Sequence, residues 1–147
     1  MDFLMTAIVV WLSANSFIPA NFNQPRIEYA PPARIVEMRL HGTHSAVQST
    51  NIVGKIPNVV AVYDDEGRTI YLPEGWTGTT PAELSVLVHE MVQHLQNVNG
   101  QKFECPEARE KPAYLAQDQW LKQFGHDLEN DFSVDIFTIV VKSACMF

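Results

Sequence analysis

A chain of 147 residues, 46% hydrophobic and 18% charged, has the size and apolar content of one globular domain that can bury a core without metals or disulfides. Ten basic against seventeen acidic side chains leave a net charge of −7. With no Lys/Arg cluster to track a phosphate backbone, nucleic acid is excluded as an expected partner. No internal repeat and no linker divides the sequence, so residues 1–147 read as a single domain.

Phe3 to Leu12 is an apolar run of signal-peptide length, and Ala14-Asn15-Ser16 has the small residues of a cleavage site. The flanks argue against export. Asp2 stands where a positive n-region belongs and the first basic residue is Arg26, so the preferred reading is an amphipathic helix with Leu4, Ile8, Trp11 and Leu12 on one face. The poor signal character favours the cytoplasm over the periplasm or secretion, and the run is too short to span a bilayer. Ser16 to Gln24 is turn-rich. Arg26-Ile27-Glu28-Tyr29 alternates like a half-buried strand that Pro31-Pro32 ends. Ala33 to Leu40 fits either a strand or a helix, and His41 to Asn58 is mostly loop.

Val59 to Tyr63 and Thr69 to Leu72 are β-rich runs around the acidic, glycine-containing turn Asp64 to Arg68, which predicts an antiparallel hairpin over 59–72. A loop from Pro73 to Thr79 follows. Thr80-Pro81-Ala82-Glu83 is a helix start: Thr80 can cap, Pro81 suits the first helical position, and Glu83 stands where a capping box places its carboxylate. Leu84, Leu87, Val88, Met91, Leu95 and Val98 keep helical spacing up to a stop at Gly100. A second helix runs from Pro106 to Phe124, with Pro112 in its opening turns or at a kink. Asp131 or Ser133 caps a last helix through Val141. Cys105 and Cys145 are either a disulfide, worth about 4 kcal/mol at most in the chain-entropy picture, or two buried thiols.

The chemistry concentrates in His89-Glu90-Met91-Val92-Gln93-His94. A helix turns about 100° per residue, so two histidines at i and i+4 share a face and can chelate one metal ion, with the glutamate between them as general base. Here position i+4 is Gln93 and the second histidine, His94, is at i+5. Relative to His89, Gln93 falls at about 40°, Glu90 at about 100° and His94 at about 140°, beside an apolar face at about 160° to 260°. On a regular helix the ligand slot belongs to Gln93, whose amide oxygen suits Zn²⁺ less well than imidazole, thiolate or carboxylate does. A π-bulge would instead make His89 and His94 neighbours. The structural alternative is a hydrogen-bonded core histidine at the edge of an apolar face.

The run Leu84 to Gln96, after a strand and a Trp-Gly loop, resembles small bacterial zinc metallopeptidases of the gluzincin type. It also resembles an uncharacterised bacterial family carrying His-Glu-x-Val-His-His-Leu-Gln. Cys105 to Gln117 resembles the following helix of that family, where gluzincins supply a glutamate ligand. The likeness covers residues 58 to 147 and, more weakly, the N-terminal helix; it departs at Gln93, where the pattern has histidine.

The resemblance implies a zinc-dependent peptidase acting on a peptide or protein. Glu90 would be the general base, and metal ligands would come from His89, from Gln93 or His94, and from Glu110, with Glu107 as the alternative third ligand. An acidic helix opening favoured by the helix dipole is the structural alternative for those two glutamates. The strand Thr69 to Leu72 would be the sheet edge that pairs with an extended substrate. The fold implied is α+β, a small antiparallel sheet packed on the active-site helix and a glutamate-bearing helix. Two rivals stand beside this: a non-catalytic scaffold that lost its metal through Gln93 and serves as a binding or structural module, and a metal-binding protein that is not a peptidase. His41 and His44 have His-x-x-His spacing in a loop without an acidic or cysteine partner, which favours a surface reading. His126-Asp127 after Gly125 reads as a turn or cap.

Overall fold

The computed structural model describes residues 1–15, 23–41 and 61–145. These form six helices, α1 (Asp2–Ala14), α2 (Pro32–His41), α3 (Pro81–Val98), α4 (Pro106–Lys122), α5 (Leu128–Phe132) and α6 (Ile136–Lys142), and three strands, β1 (Arg26–Ala30), β2 (Val62–Asp64) and β3 (Thr69–Pro73). The fold class is α+β, a small sheet packed on helices. Residues 16–22, the expected loop from 42 to 58 with His44, and the first two hairpin positions, Val59 and Val60, lie outside the described residues, as does the His41 side chain.

The hairpin forms as the sequence predicts: β2 runs antiparallel to β3, with Val62 opposite Tyr71 and Tyr63 opposite Ile70. The Asp64 carboxylate accepts from the backbone N–H of Glu66 and of Gly67, each at 3.2 Å. A Cβ at Gly67 would lie 2.7 Å from Asp64 Oδ2, so a side chain there would push the Asp64 carboxylate off its turn hydrogen bonds. The sheet, however, is mixed rather than antiparallel. β1 adds to the other side of β3 in parallel, in register from Arg26 opposite Thr69 to Ala30 opposite Pro73, giving the order β1-β3-β2. A parallel neighbour requires a long crossover connection, and residues 31–68, which include α2 and β2, separate β1 from β3 in the chain. The strand Thr69 to Leu72 is therefore the centre of the sheet and not its edge. Ile70 and Leu72 are fully buried, and the described edges are β1 and β2.

Ala33 to Leu40 resolves as helix. Pro32 takes the first helical position, where its missing N–H costs nothing, and the Pro31 carbonyl accepts from Arg34 and Ile35. The N-terminal run is the expected helix: α1 buries Met5, Ile8, Val9 and Leu12, and Trp11 meets Trp120 edge-on with ring centres 5.2 Å apart. No described helix is long and apolar enough to cross a membrane. The last helix is two short ones. Asp127 caps α5 and Asp135 caps α6, and between them Ser133 takes a left-handed conformation that ends α5. Asp131 and Ser133 are thus not the caps expected of them; the aspartates one turn upstream and two residues downstream bind the free N–H groups instead. Asp127 confirms the cap reading of the His126-Asp127 pair. Cys105 and Cys145 form a disulfide that joins the N-cap of α4 to the residues after α6.

α3 is the axis of the core. Its N-terminus is built as the sequence implies, with Thr80 Oγ1 accepting from Glu83 N–H at 3.1 Å and Pro81 opening the helix. Glu83 reaches back past the cap to Thr77 N–H (3.0 Å) and Thr77 Oγ1 (2.9 Å), and the Trp76 indole donates to the Glu83 carbonyl at 2.9 Å. The Trp-Gly loop is thereby fastened to the helix it precedes. At the other end, Gln101 N–H bonds to the Gln96 carbonyl and Gly100 N–H to the Asn97 carbonyl, a Schellman ending with Gly100 at φ 67°. Leu87, Val88, Met91 and Leu95 are fully buried in one cluster with α1, the hairpin and Ala113, Ala116 and Leu121 of α4.

Partial burial alone would raise the Glu83 carboxyl, but hydrogen bonds from Thr77, Thr79 and Thr80 bring it below its ordinary value of 4.5. A carboxylate lowered in the folded state stabilises the fold above its unfolded pKa, and that contribution is lost as pH falls through the folded value. Urea titrations repeated from neutral pH down through 4.5 should show a stability loss on the acid side. Glu83→Gln should reduce that loss while lowering stability at neutral pH; an unchanged acid limb in the variant would contradict this role.

Candidate active site

α3 is buried along twelve consecutive residues, Ser85 to Gln96. Six of these are polar, and a buried polar group without a partner costs about 1–3 kcal/mol, so their partners define the site. α3 is regular throughout, with no bulge near His89. Gln93 therefore occupies the i+4 position beside His89, and His94 turns away from it.

His89 is held from both sides by α4. Its Nε2 lies 2.9 Å from Glu110 Oε2 and its Nδ1 lies 3.0 Å from Gln117 Oε1. The Gln117 orientation follows from a chain of donors. Ser85 Oγ gives its proton to the Ala82 carbonyl at 2.7 Å, so it accepts from Gln117 Nε2 at 3.2 Å, and the amide oxygen is left to face His89. Nδ1 therefore carries a proton, and Nε2 is the nitrogen directed at Glu110. Gln93 Nε2 donates to the other Glu110 oxygen at 2.8 Å and lies 3.4 Å from His89 Nε2. The Tyr114 ring packs edge-on to the His89 ring at 4.5 Å. Burial disfavours a charged His89, but the hydrogen bond and charge of Glu110, helped by Glu90, raise its pKa above the ordinary 6.5.

Glu90 is 2% exposed. Its Oε1 faces Arg39 Nη1 of α2 at 3.5 Å, and its Oε2 is buried without any hydrogen-bond partner. Desolvation raises its pKa, the charges of His89 and Arg39 oppose this, and Glu110 adds to the rise. Burial also raises the Tyr114 phenol, with the negative charge of Glu110 adding to it.

His94 belongs to a different network. Its Nδ1 pairs with Tyr63 Oη at 2.8 Å, its Nε2 contacts the Asn23 carbonyl, and burial lowers its pKa. Asn97 bridges Tyr63 Oη and the Asp65 carbonyl. Arg109 grips the Asp65 carboxylate with both terminal nitrogens and donates to the Gln93 carbonyl and to Gln96. This second network ties the hairpin turn to α3 and α4. A cleft of about 450 Å³ borders it at Asp65, Gln96, Asn97 and Arg109, and neither His89 nor Glu90 lines that cleft.

Of the residues singled out in the sequence, the fold thus gathers His89, Gln93 and Glu110, with Glu90 beside them. It separates His94 from them, and Glu107 makes no bond to the cluster. Sequence reasoning missed Arg39, Tyr114 and Gln117. The last two were findable: they follow Glu110 by four and seven residues, the spacing of one helical face. Arg39 had no such signal, because nothing local ties α2 to α3.

These observations define an α+β domain with a buried His-Gln-Glu cluster clasped between two helices and a charge-paired glutamate at its side. The chain belongs to the family described as "Domain of unknown function (DUF6647)", whose family model matches residues 1–147. No curated protein and no solved structure gives a significant match.

Glu110 is 3% exposed, and removing one partner of a buried pair strands the other. Glu110→Ala in metal-free protein should cost about 3–5 kcal/mol in urea unfolding. A loss within experimental error of zero would mean that the His89–Glu110 contact is not part of the folded state in solution.

Proposed function

We propose that this cluster is a zincin-like hydrolytic site in which Gln93 replaces the usual second histidine, and that the protein is a zinc-dependent peptidase. The carrying observation is the convergence of His89 Nε2, the Gln93 amide and the Glu110 carboxylate within 2.8–3.4 Å of one another, next to a buried glutamate with an unpartnered oxygen. Among the described residues no three His, Cys, Asp or Glu side chains group as metal ligands, so the donor set is one imidazole, one carboxylate and one amide oxygen. The Gln93 group that now faces Glu110 and His89 is its Nε2, so that set fits a divalent ion only once the amide turns its oxygen inward, and then more weakly than two imidazoles and a carboxylate would. A bound zinc would supply Lewis acidity toward a scissile carbonyl and a water.

The chain's own residues would do the rest. Gln117 fixes the His89 tautomer so that Nε2 faces the donors, the outer support that metal-binding histidines commonly receive. Glu90 has the free oxygen and raised proton affinity of a general base that takes a proton from water and returns it to a leaving amine. Because β3 is internal, an extended substrate would pair with an edge strand, for which β2 is the candidate nearest α3 in sequence.

A second reading rests on its own observation: the cluster closes without metal. A protonated His89 donates to both Gln117 and Glu110, Gln93 donates to Glu110, and Arg39 balances Glu90, so four charges cancel in place. A scaffold that has given up its metal, and acts as a binding or structural module, would look like this.

Elemental analysis of chelator-free protein decides between them. The peptidase reading expects one equivalent of zinc, lost in His89→Ala and in Glu110→Ala, retained in His94→Ala, and bound more tightly in Gln93→His. Glu90→Gln should keep the zinc and lose peptide hydrolysis. No zinc in wild type with zinc gained in Gln93→His would establish the second reading instead; zinc without hydrolysis of any peptide would leave a metal-binding protein that is not a peptidase.

A further inference from the structure

Among the described residues Arg39 is the one basic side chain paired with Glu90, yet it is poorly engaged. Only Nη1 has partners, the Ala61 carbonyl at 2.5 Å and Glu90 Oε1 at 3.5 Å. The latter is an ion pair too long for a strong hydrogen bond. Nη2 and Nε have no partner among the described residues, and the side chain remains 17% exposed. A guanidinium presents five donors in a planar fork suited to a carboxylate, so this one keeps most of its capacity unused at the rim of a buried site. The Tyr114 hydroxyl also has no hydrogen-bond partner among the described residues. Its ring lies against His89, one turn along α4 from Glu110 and on the same face.

Inward of Arg39, the unpartnered atom is of the opposite kind. Glu90 Oε2 is a buried acceptor that lacks a donor. A ligand that satisfies both must offer an anion to the guanidinium and, a few atoms away, an N–H to the glutamate. The α-carboxylate of an amino acid with its adjacent nitrogen has this pattern, whether that nitrogen is the amide of a peptide C-terminus or the ammonium of a free amino acid.

We infer that Arg39, assisted by the Tyr114 hydroxyl, anchors the α-carboxylate of the ligand of this site while Glu90 Oε2 accepts from the neighbouring N–H. Arg39 is then the residue that selects substrates by their free carboxyl end. The inference deepens the hydrolase reading by naming a substrate class, but it concerns binding and does not depend on zinc. Zinc content tests that reading; discrimination between an acid and its amide in chelated protein tests this one, so either can fail alone.

The test is an NMR titration of the full-length, metal-free chain with three probes at millimolar concentration: N-acetyl-alanyl-alanine, its C-terminal amide, and free alanine. Charge-assisted hydrogen bonds of this kind correspond to about 10- to 100-fold in affinity. The acid should therefore bind about 10-fold or more tightly than the amide, with shifts centred on α2 and on residues 89–93. Arg39→Gln should abolish the preference, Arg39→Lys should keep part of it, and Tyr114→Phe should weaken the acid more than the amide. Free alanine binding at least as tightly as the acetylated acid would assign the site to amino acids; weaker binding would assign it to peptide C-termini. Because the readout is a ratio measured within each variant, a general loss of stability does not imitate the result. Equal binding of acid and amide, a preference that survives in Arg39→Gln, or no binding of any probe would each overturn the inference.

Discussion

The structure is organised by a polar problem inside an apolar helix. α3 runs through the core with twelve consecutive residues buried, and Ser85, His89, Glu90, Gln93, His94 and Gln96 are among them. Apolar burial on α3 is supplied readily by α1, the hairpin and α4, at about 25 cal/mol per Å². The six polar side chains are harder to place, because each must meet a partner of the right hydrogen-bonding sense or forfeit part of that gain. α4 supplies Glu110 and Gln117 to His89 and Arg109 to Gln96, α2 supplies Arg39 to Glu90, and the hairpin supplies Tyr63 to His94. α4 and the hairpin thus each bring a polar group as well as an apolar face, while α1 brings apolar residues alone.

Two networks result along the same helix, and they differ in kind. The Tyr63, His94, Asn97, Asp65 and Arg109 group satisfies its members through neutral or solvent-edge contacts and joins the hairpin turn to both long helices. It behaves as structure. The His89, Gln93, Glu110 and Glu90 group brings two carboxylates and an imidazole into a desolvated space, raises the proton affinity of His89 and Glu90, and still leaves a carboxylate oxygen unpartnered. Strongly perturbed groups with an unmet hydrogen bond are more characteristic of a site than of a core.

Much of this was legible in the sequence where local rules act. The cap at Thr80, the stop at Gly100, the hairpin turn and the helical face carrying His89 and Gln93 follow from spacing and turn chemistry within a few residues. The wheel that put Gln93 at about 40° and His94 at about 140° from His89 agrees with their separation into two networks on a regular helix. What could not be read were the long-range choices. The parallel addition of β1, which moves Thr69 to Leu72 to the middle of the sheet, depends on a crossover that no local pattern encodes. Arg39 reaches Glu90 from fifty-one positions earlier in the chain, so its role had no sequence signature. The disulfide needed the three-dimensional approach of α6 to the start of α4, since two cysteines alone do not fix their own state.

Gln93 is where these considerations meet. An imidazole at this position would compete with His89 for Glu110 and add a second basic nitrogen to a space that already holds the imidazole of His89 and the guanidinium of Arg39. The amide avoids that repulsion: it donates to Glu110 while carrying no charge, which lets the metal-free cluster close. The same neutrality weakens it as a metal donor. If the proposed zinc site holds, a single side chain sets the balance between a cluster that is stable alone and one that requires an ion. The histidine variant shifts that balance in a predictable direction, toward a site less stable without metal and tighter with it. Stability without metal and affinity for metal should accordingly move in opposite senses at position 93, a coupling that follows from one buried space having to satisfy the same donors in both states.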